Sequence, residues 1–194
     1  TIAGRFVSFA LAAVSPVAVE LLLPTGGGKS LTFQFPTLLN TGVTITVVPI
    51  RALGRDHCME LEASGFGGRV INLDAEIKGE DREKVLHDIT QGRYRFVFVA
   101  PERLQTEAFI GVLKQLALNG LLNFLVVDEA HCFSEWGHDF RPAYRSITQI
   151  REWAPNASVI AVTGTATKKV ANDIQLQLNF SNQNVIKTSF ERKN

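Results

Sequence analysis

Cysteine is scarce in this chain: Cys58 and Cys132 are its only two among 194 residues. Neither has a partner at ligand-like spacing. That argues against a zinc motif or a disulfide framework and for two reduced thiols in an intracellular protein, cytoplasmic in a prokaryote or nuclear in a eukaryote. An excess of charge of one sign is also missing. Twenty Lys and Arg stand against 19 Asp and Glu, a net charge of +1. Such a balance neither demands nor excludes a nucleic-acid partner, because a groove can be basic on a neutral protein. Internal repeats, low-complexity tracts and linker-like composition are absent, which makes one domain the simplest organisation. An initiator Met is absent too, so the chain reads as a fragment. What is present is ordinary for a globular core: 45% hydrophobic and 20% charged residues.

One long apolar run, Phe6 to Leu23, approaches the length of a membrane span. Ser15-Pro16 breaks it, Glu20 interrupts it and no basic cluster flanks it. A helix over about residues 3–14 followed by a buried strand over 17–23 is expected instead, with no membrane partner.

Apolar, β-branched runs then recur as VTITVV, RVINL, RFVFVA, NFLVVD and SVIAVT. Each has the length of a buried parallel strand. Helix-compatible stretches separate them. GEDREKVLHDITQG has its acids early and Val85, Leu86 and Ile89 on one face. TEAFIGVLKQLALNG stops at Asn119-Gly120, a C-cap signal. PAYRSITQIREWAP opens with Pro142 at a first-turn position and closes before Pro155. Alternation of this kind predicts an α/β fold with a mostly parallel central sheet. Ligands of such sheets bind beyond the carboxyl ends of the strands.

At the end of the first expected strand stands LLLPTGGGKSLTFQ. Thr25, Gly26, Gly27, Gly28, Lys29 and Ser30 lie there between strand and helix. Glycine permits positive φ and close backbone approach, so successive N–H groups can surround phosphate oxygens. The helix N-terminus favours an anion, Lys29 can reach β/γ-phosphates, and the Ser30 hydroxyl can ligate Mg²⁺. Leu23 stands where the general G-x-x-x-x-G-K-[ST] pattern has its first glycine. A glycine-rich turn with a surface lysine is the bland alternative, but strand, loop, Gly-Lys-Ser and helix occur here in order.

A second strand, NFLVVD, ends in Asp128-Glu129. In a parallel sheet this pair shares the carboxyl edge with Lys29. One carboxylate can hold a Mg²⁺ shell and its neighbour can orient a water toward a γ-phosphate. Alone, two acids at a strand end would be solvated bystanders. After them comes an apparent loop with Phe133, Trp136 and Phe140 set among Glu135, His138, Asp139 and Arg141. Aromatic faces there can stack on unpaired bases and Arg141 can reach phosphate. Equally, the rings can be core anchors.

Together these segments resemble the superfamily 2 helicases. PTGGGKS has that superfamily's form of phosphate loop, and DEAH matches its motif II. DEAHCFSEWGHDFRPAYRSI is similar, more narrowly, to the RecQ family, which follows motif II with an aromatic-rich loop. VVPIRAL resembles motif Ia, VAPERL motif Ib, AVTGTAT motif III, and SFERKN the exit from the first RecA-like domain. The resemblance implies a RecA-like P-loop NTPase domain over residues 1–194, with ATP and Mg²⁺ as cofactors and single-stranded or forked DNA as partner. It assigns phosphates and Mg²⁺ to Lys29 and Ser30, the metal to Asp128 and water activation to Glu129. Coupling to DNA falls to His131, Thr163 and Thr165 and to the loop bearing Phe133, Trp136, His138, Phe140 and Arg141.

The sequence departs from the family pattern at several points. Upstream of the phosphate loop, near Phe6, the resemblance places an adenine-reading glutamine, but no Gln precedes Gln34. Ala52 and His57 replace a common serine and glutamine, and Gly164 replaces an alanine. The chain ends at Asn194, where a second RecA-like domain with its arginine is expected. The leading reading is the first motor domain of an ATP-dependent 3′→5′ DNA helicase of RecQ type. The alternative is a nucleotide-gated nucleic-acid-binding module with impaired hydrolysis. An unrelated P-loop kinase leaves DEAH and the aromatic loop unexplained.

Overall fold

The computed structural model describes residues 18–22, 28–73, 77, 79–136, 139–178 and 185–187. Seven strands form one sheet: β1 (Ala18–Leu22), β2 (Val43–Val47), β3 (Val70–Leu73), β4 (Phe96–Val99), β5 (Leu122–Asp128), β6 (Ser158–Thr163) and β7 (Val185–Lys187). Their order is β3-β4-β2-β5-β6-β1-β7, and every pairing is parallel. The six apolar runs of the sequence thus become strands. The short β7 was not anticipated. The helix expected over 3–14 lies outside the described residues.

Among the described residues six α-helices cover both faces: α1 (Lys29–Leu39), α2 (Arg51–Leu61), α3 (Gly79–Thr90), α4 (Glu107–Leu118), α5 (Ser146–Trp153) and α6 (Lys168–Gln177). Strand period divides the side chains between the faces. Phe96, Phe98, Phe124 and Val126 pack with Phe33 of α1 and Leu61 of α2. Val97, Val99, Leu125 and Val127 face the other way, against Phe109 and Leu113 of α4, Ile147 of α5 and Ile174 of α6. Cladding on both sides buries β2, β4 and β6 at every position, which selects mostly apolar, β-branched residues there, with Thr44, Thr46, Ser158 and Thr163 as the buried polar ones.

Local signals place most helix ends. Asn119 caps α4, and Gly120 follows at φ 66° with its N–H on the Ala117 carbonyl. The segment after Pro142 differs from expectation. Pro142–Arg145 is a 3₁₀ turn and α5 starts only at Ser146. Tyr144 in that turn is fully buried, its ring edge-on to Phe133 at 6.4 Å, so core packing outranks an early helix start. No helix among the described residues is long and apolar enough to cross a membrane. Cys58 and Cys132 are both free and buried. Burial, then the nearby Glu62 carboxylate, pushes the Cys58 thiol up to about 12, as suits an inert core cysteine.

Candidate functional site

The carboxyl ends of β5 and β6 meet the start of α1 at one edge of the sheet. Gly28, at φ 77°, turns the chain into α1. It carries no side chain to cap the helix, and the first turn holds no acidic residue. Leu31 N–H is taken by the Gly28 carbonyl at 3.1 Å; the earlier N–H groups of a helix have no acceptor within it and can meet an external anion. Thr25, Gly26 and Gly27 lie outside the described residues.

β5 ends in a left-handed turn. Glu129 is the only non-glycine residue with positive φ among the described residues, at φ 47° and ψ 52°. Such a conformation costs on the order of 1–3 kcal/mol and persists where surrounding contacts fix it. Here the Glu129 N–H donates to Asp128 Oδ1 at 2.9 Å, and Cys132 N–H donates to the Glu129 carbonyl at 2.9 Å. The turn sends the Glu129 carboxylate toward α1, where Lys29 Nζ donates to Oε1 at 2.6 Å. Its other oxygen lies 3.3 Å from His131 Nδ1. That nitrogen is also 3.0 Å from Thr163 Oγ1 and 3.2 Å from Thr165 Oγ1. Lys29, Glu129, His131, Thr163 and Thr165, scattered through the sequence, thus form one hydrogen-bonded chain from α1 to the end of β6.

Charge states follow from these contacts. Hydrogen bonding from His131, reinforced by Lys29, lowers Glu129 to about 2 despite partial burial. Hydrogen bonds to the Cys132 sulfur, then to Glu129, raise His131 to about 10. The imidazolium stability contribution is complete below an ordinary 6.5 and is lost as pH rises toward 10. The Glu129 contribution is complete above an ordinary 4.5 and is lost as pH falls toward 2. Thermal melts of wild type and His131→Gln should therefore differ most below pH 6.5 and converge as pH rises toward 10. A constant difference across that range would refute the charged imidazole.

Asp128 is buried at the same edge, and its backbone carbonyl accepts from the Tyr144 hydroxyl at 3.4 Å. Among the described residues no cluster of three or more His, Cys, Asp or Glu could hold a metal. The Asp128 carboxylate and Ser30 hydroxyl are hard oxygen donors. They fit an ion completed by phosphate oxygens and water, as Mg²⁺ usually is. A residue that sequence reasoning treated only as a departure also stands here: His57 of α2, whose Nε2 is 3.2 Å from Asp128 Oδ2. Nothing local marks it, because the contact spans 71 residues.

The aromatic segment closes at its neck, where Arg141 N–H donates to the Cys132 carbonyl at 2.9 Å. Its rings have different fates. Phe133 is fully buried in the core, which corrects its expected place in a DNA-facing loop: it has no face to offer a base. Trp136 is 62% exposed, with Lys169 Nζ of α6 lying 3.2 Å from its ring centroid. Phe140 carries the Arg145 guanidinium at 5.5 Å, and Arg145 also pairs with Glu135. Ser134 donates to Asp173 of α6 at 2.5 Å and accepts from the Trp136 N–H at 3.2 Å. Asp139 lies 3.8 Å from His131 Nε2, which joins the segment to the chain of Glu129. His138 lies outside the described residues.

Arg141 opens on a cleft of about 450 Å³ lined also by Ile50, Arg51, Glu102 and Arg103. Arg51 and Arg103 were not named from sequence. Both stand just beyond strand ends in the two segments VVPIRAL and VAPERL, a position that could have marked them. Glu102 Oε1 lies 3.7 Å from Arg141 Nη1, so three arginines against one acid leave a local excess of positive charge that the neutral total conceals.

Three kinds of comparison agree with this geometry. A family model described as DEAD/DEAH box helicase matches residues 10–174. The chain is 36% identical over 186 residues to ATP-dependent DNA helicase Q-like 4B of Arabidopsis thaliana, covering 94% of this chain and 16% of that protein. It is 38% identical over 174 residues to ATP-dependent DNA helicase RecQ of Bacillus subtilis, covering 89% and 28%. It therefore spans less than a third of the length of these relatives. Among solved structures, the fold is similar to the Hef helicase domain of Pyrococcus furiosus, with TM-score 0.66, 18% identity and coverage of 97% of this chain and 38% of that one. It is also similar to the DUF1998 helicase MrfA bound to DNA and AMPPNP, with TM-score 0.70, 18% identity and coverage of 95% and 26%. At that identity these structures support the RecA-like fold alone.

Proposed function

This chain belongs to the DEAD/DEAH box helicase family, and from that premise we propose that it is the first RecA-like motor domain of a RecQ-type, ATP-dependent 3′→5′ DNA helicase. The observation that carries the reading is the 2.6 Å contact between Lys29 and Glu129. It joins the glycine-rich loop to the DEAH segment at one sheet edge. The direction of movement rests on the resemblance to RecQ proteins, and DNA as partner rests on the relatives' names and the arginine cleft.

In this reading the N–H groups at the start of α1 bind phosphate oxygens and Lys29 serves the β/γ-phosphates. Ser30 and Asp128 hold Mg²⁺, which neutralises charge on the transferring phosphoryl group when bound. Glu129, ionised at neutral pH, orients the attacking water through its carboxylate. His131, Thr163 and Thr165 hold Glu129 and link it to the end of β6. Arg51, Arg103 and Arg141 receive DNA phosphates, while Trp136 and Phe140 offer rings to unpaired bases. A second RecA-like domain in the full-length protein supplies an arginine to the developing charge.

The test is Lys29→Ala in the full-length protein. Removing a charge-assisted contact of about 1.5–3 kcal/mol should weaken ATP and ADP binding roughly tenfold to a hundredfold, read with a fluorescent nucleotide. Unchanged affinity together with unchanged ATPase activity would reject the assignment. Normal nucleotide binding in wild type without DNA-stimulated turnover would favour a gated binding module over a motor.

A further inference from the structure

Asp128 is gripped at both oxygens. Oδ1 accepts the Glu129 N–H at 2.9 Å, and Oδ2 lies 3.2 Å from His57 Nε2. The His57 and Asp128 side chains are only 9% and 6% exposed. The imidazole has little freedom. It lies flat against Phe98, centroids 5.2 Å apart and planes 12° apart, and meets Phe33 edge-on at 5.9 Å. The helix that carries it is fixed as well. Gly54, one turn earlier, lies so near β3 that an added Cβ would stand 2.7 Å from Asn72 Oδ1, and Asn72 donates to the Arg51 carbonyl at 3.3 Å. Helix, ring and carboxylate therefore form one rigid path from β3 to the end of β5.

We propose that His57 is a positioning residue for the metal-holding carboxylate: its Nε2–H donates to Asp128 Oδ2 and fixes the plane in which Asp128 meets a Mg²⁺ shell. The proposal rests on the nucleotide reading above. A carboxylate oxygen has two lone pairs, so the imidazole can hold one while the other stays available. Hydrogen-bond partners of metal-ligating carboxylates commonly set metal affinity, and their loss costs about 10–100-fold. A core histidine that merely fills space would act on stability alone. This one donates to the single buried carboxylate assigned to the metal.

The experiment measures binding of a fluorescent ADP to the full-length protein across a Mg²⁺ titration and in EDTA, for wild type, His57→Ala and His57→Gln. Melting temperatures are taken in parallel. His57→Ala should need about 10–100-fold more Mg²⁺ for half-maximal nucleotide binding while keeping wild-type affinity in EDTA. His57→Gln, whose amide can donate in place of Nε2–H, should recover most of that loss. No change in the Mg²⁺ requirement, an equal loss with and without Mg²⁺, or a glutamine variant as impaired as alanine overturns the proposal. If His57→Ala does not fold, the ¹⁵N imidazole resonance of the wild-type protein decides: a protonated Nε2 supports the proposal and a bare Nε2 overturns it. Wild type that binds ADP without regard to Mg²⁺ would overturn the metal role of Asp128 and the proposal with it, whereas wild type that binds no ADP would instead reject the underlying nucleotide-site reading.

Discussion

Glu129→Gln in the full-length protein is expected to bind nucleotide at least as well as wild type and to lose ATP turnover by about 10²–10⁴-fold. The substitution keeps size, removes the charge and turns one of the two acceptor oxygens into an NH₂ donor. Three features make that charge the active one. Hydrogen bonds from His131 and Lys29 hold the carboxyl down at about 2, so it is ionised across the working pH range. The left-handed backbone at Glu129 directs it off the strand axis toward α1. Asp128 beside it is engaged elsewhere, by His57. Binding should survive because Lys29 is now engaged by Glu129 at 2.6 Å. An incoming phosphate has to compete with that carboxylate, and a neutral glutamine competes less. Single-turnover ATPase and nucleotide affinity on the same preparation give the answer. Near-normal turnover would reduce Glu129 to an anchor for Lys29.

The second large effect separates two rings that stand three residues apart. Phe133→Ala empties a fully buried site beside Tyr144 and should cost about 3–5 kcal/mol of stability. For a chain of this size that is a fall in melting temperature of roughly 6–20 °C. Trp136→Ala removes a ring that is 62% exposed and covered on one side by Lys169. An exposed cation–π contact is worth about 0.5–1 kcal/mol, so the melting temperature should move by only a few degrees. Its effect belongs with DNA. Loss of one stacking platform costs about 1–3 kcal/mol per base, and DNA stimulation of the ATPase should fall more than the basal rate. The segment can transmit the effect because Asp139 contacts His131, which holds Glu129. Arg141→Ala should act in the same sense, with a weaker dependence of DNA affinity on salt. A melting temperature of Trp136→Ala as low as that of Phe133→Ala, with both rates reduced in proportion, would make Trp136 a core residue and end the coupling role.

Much of the molecule was legible before any coordinates. The strands were readable because a parallel strand clad on both faces is buried throughout and reads as a nearly continuous apolar, β-branched run, as VTITV, FVFV and SVIAVT do with Thr and Ser as their only polar residues. The phosphate loop and the acidic pair were readable because Gly-Lys-Ser after a strand and Asp-Glu at a strand end are local chemistry. Sheet order then put both on one edge. Other features were beyond sequence. Phe133, Trp136 and Phe140 look alike in the sequence. The neck formed by Arg141 N–H on the Cys132 carbonyl leaves the first ring in the core and the other two outside it. His57 meets Asp128 across 71 residues only because α2 sits tightly on β3. The left-handed Glu129 violates a local preference, and only its contacts with α1 and with His131 make that conformation the stable one. Sequence determines what each short segment can do in its own period and turn chemistry. Which of several equivalent side chains is buried, paired or strained depends on neighbours that folding brings from far along the chain, and those the tertiary structure alone decides.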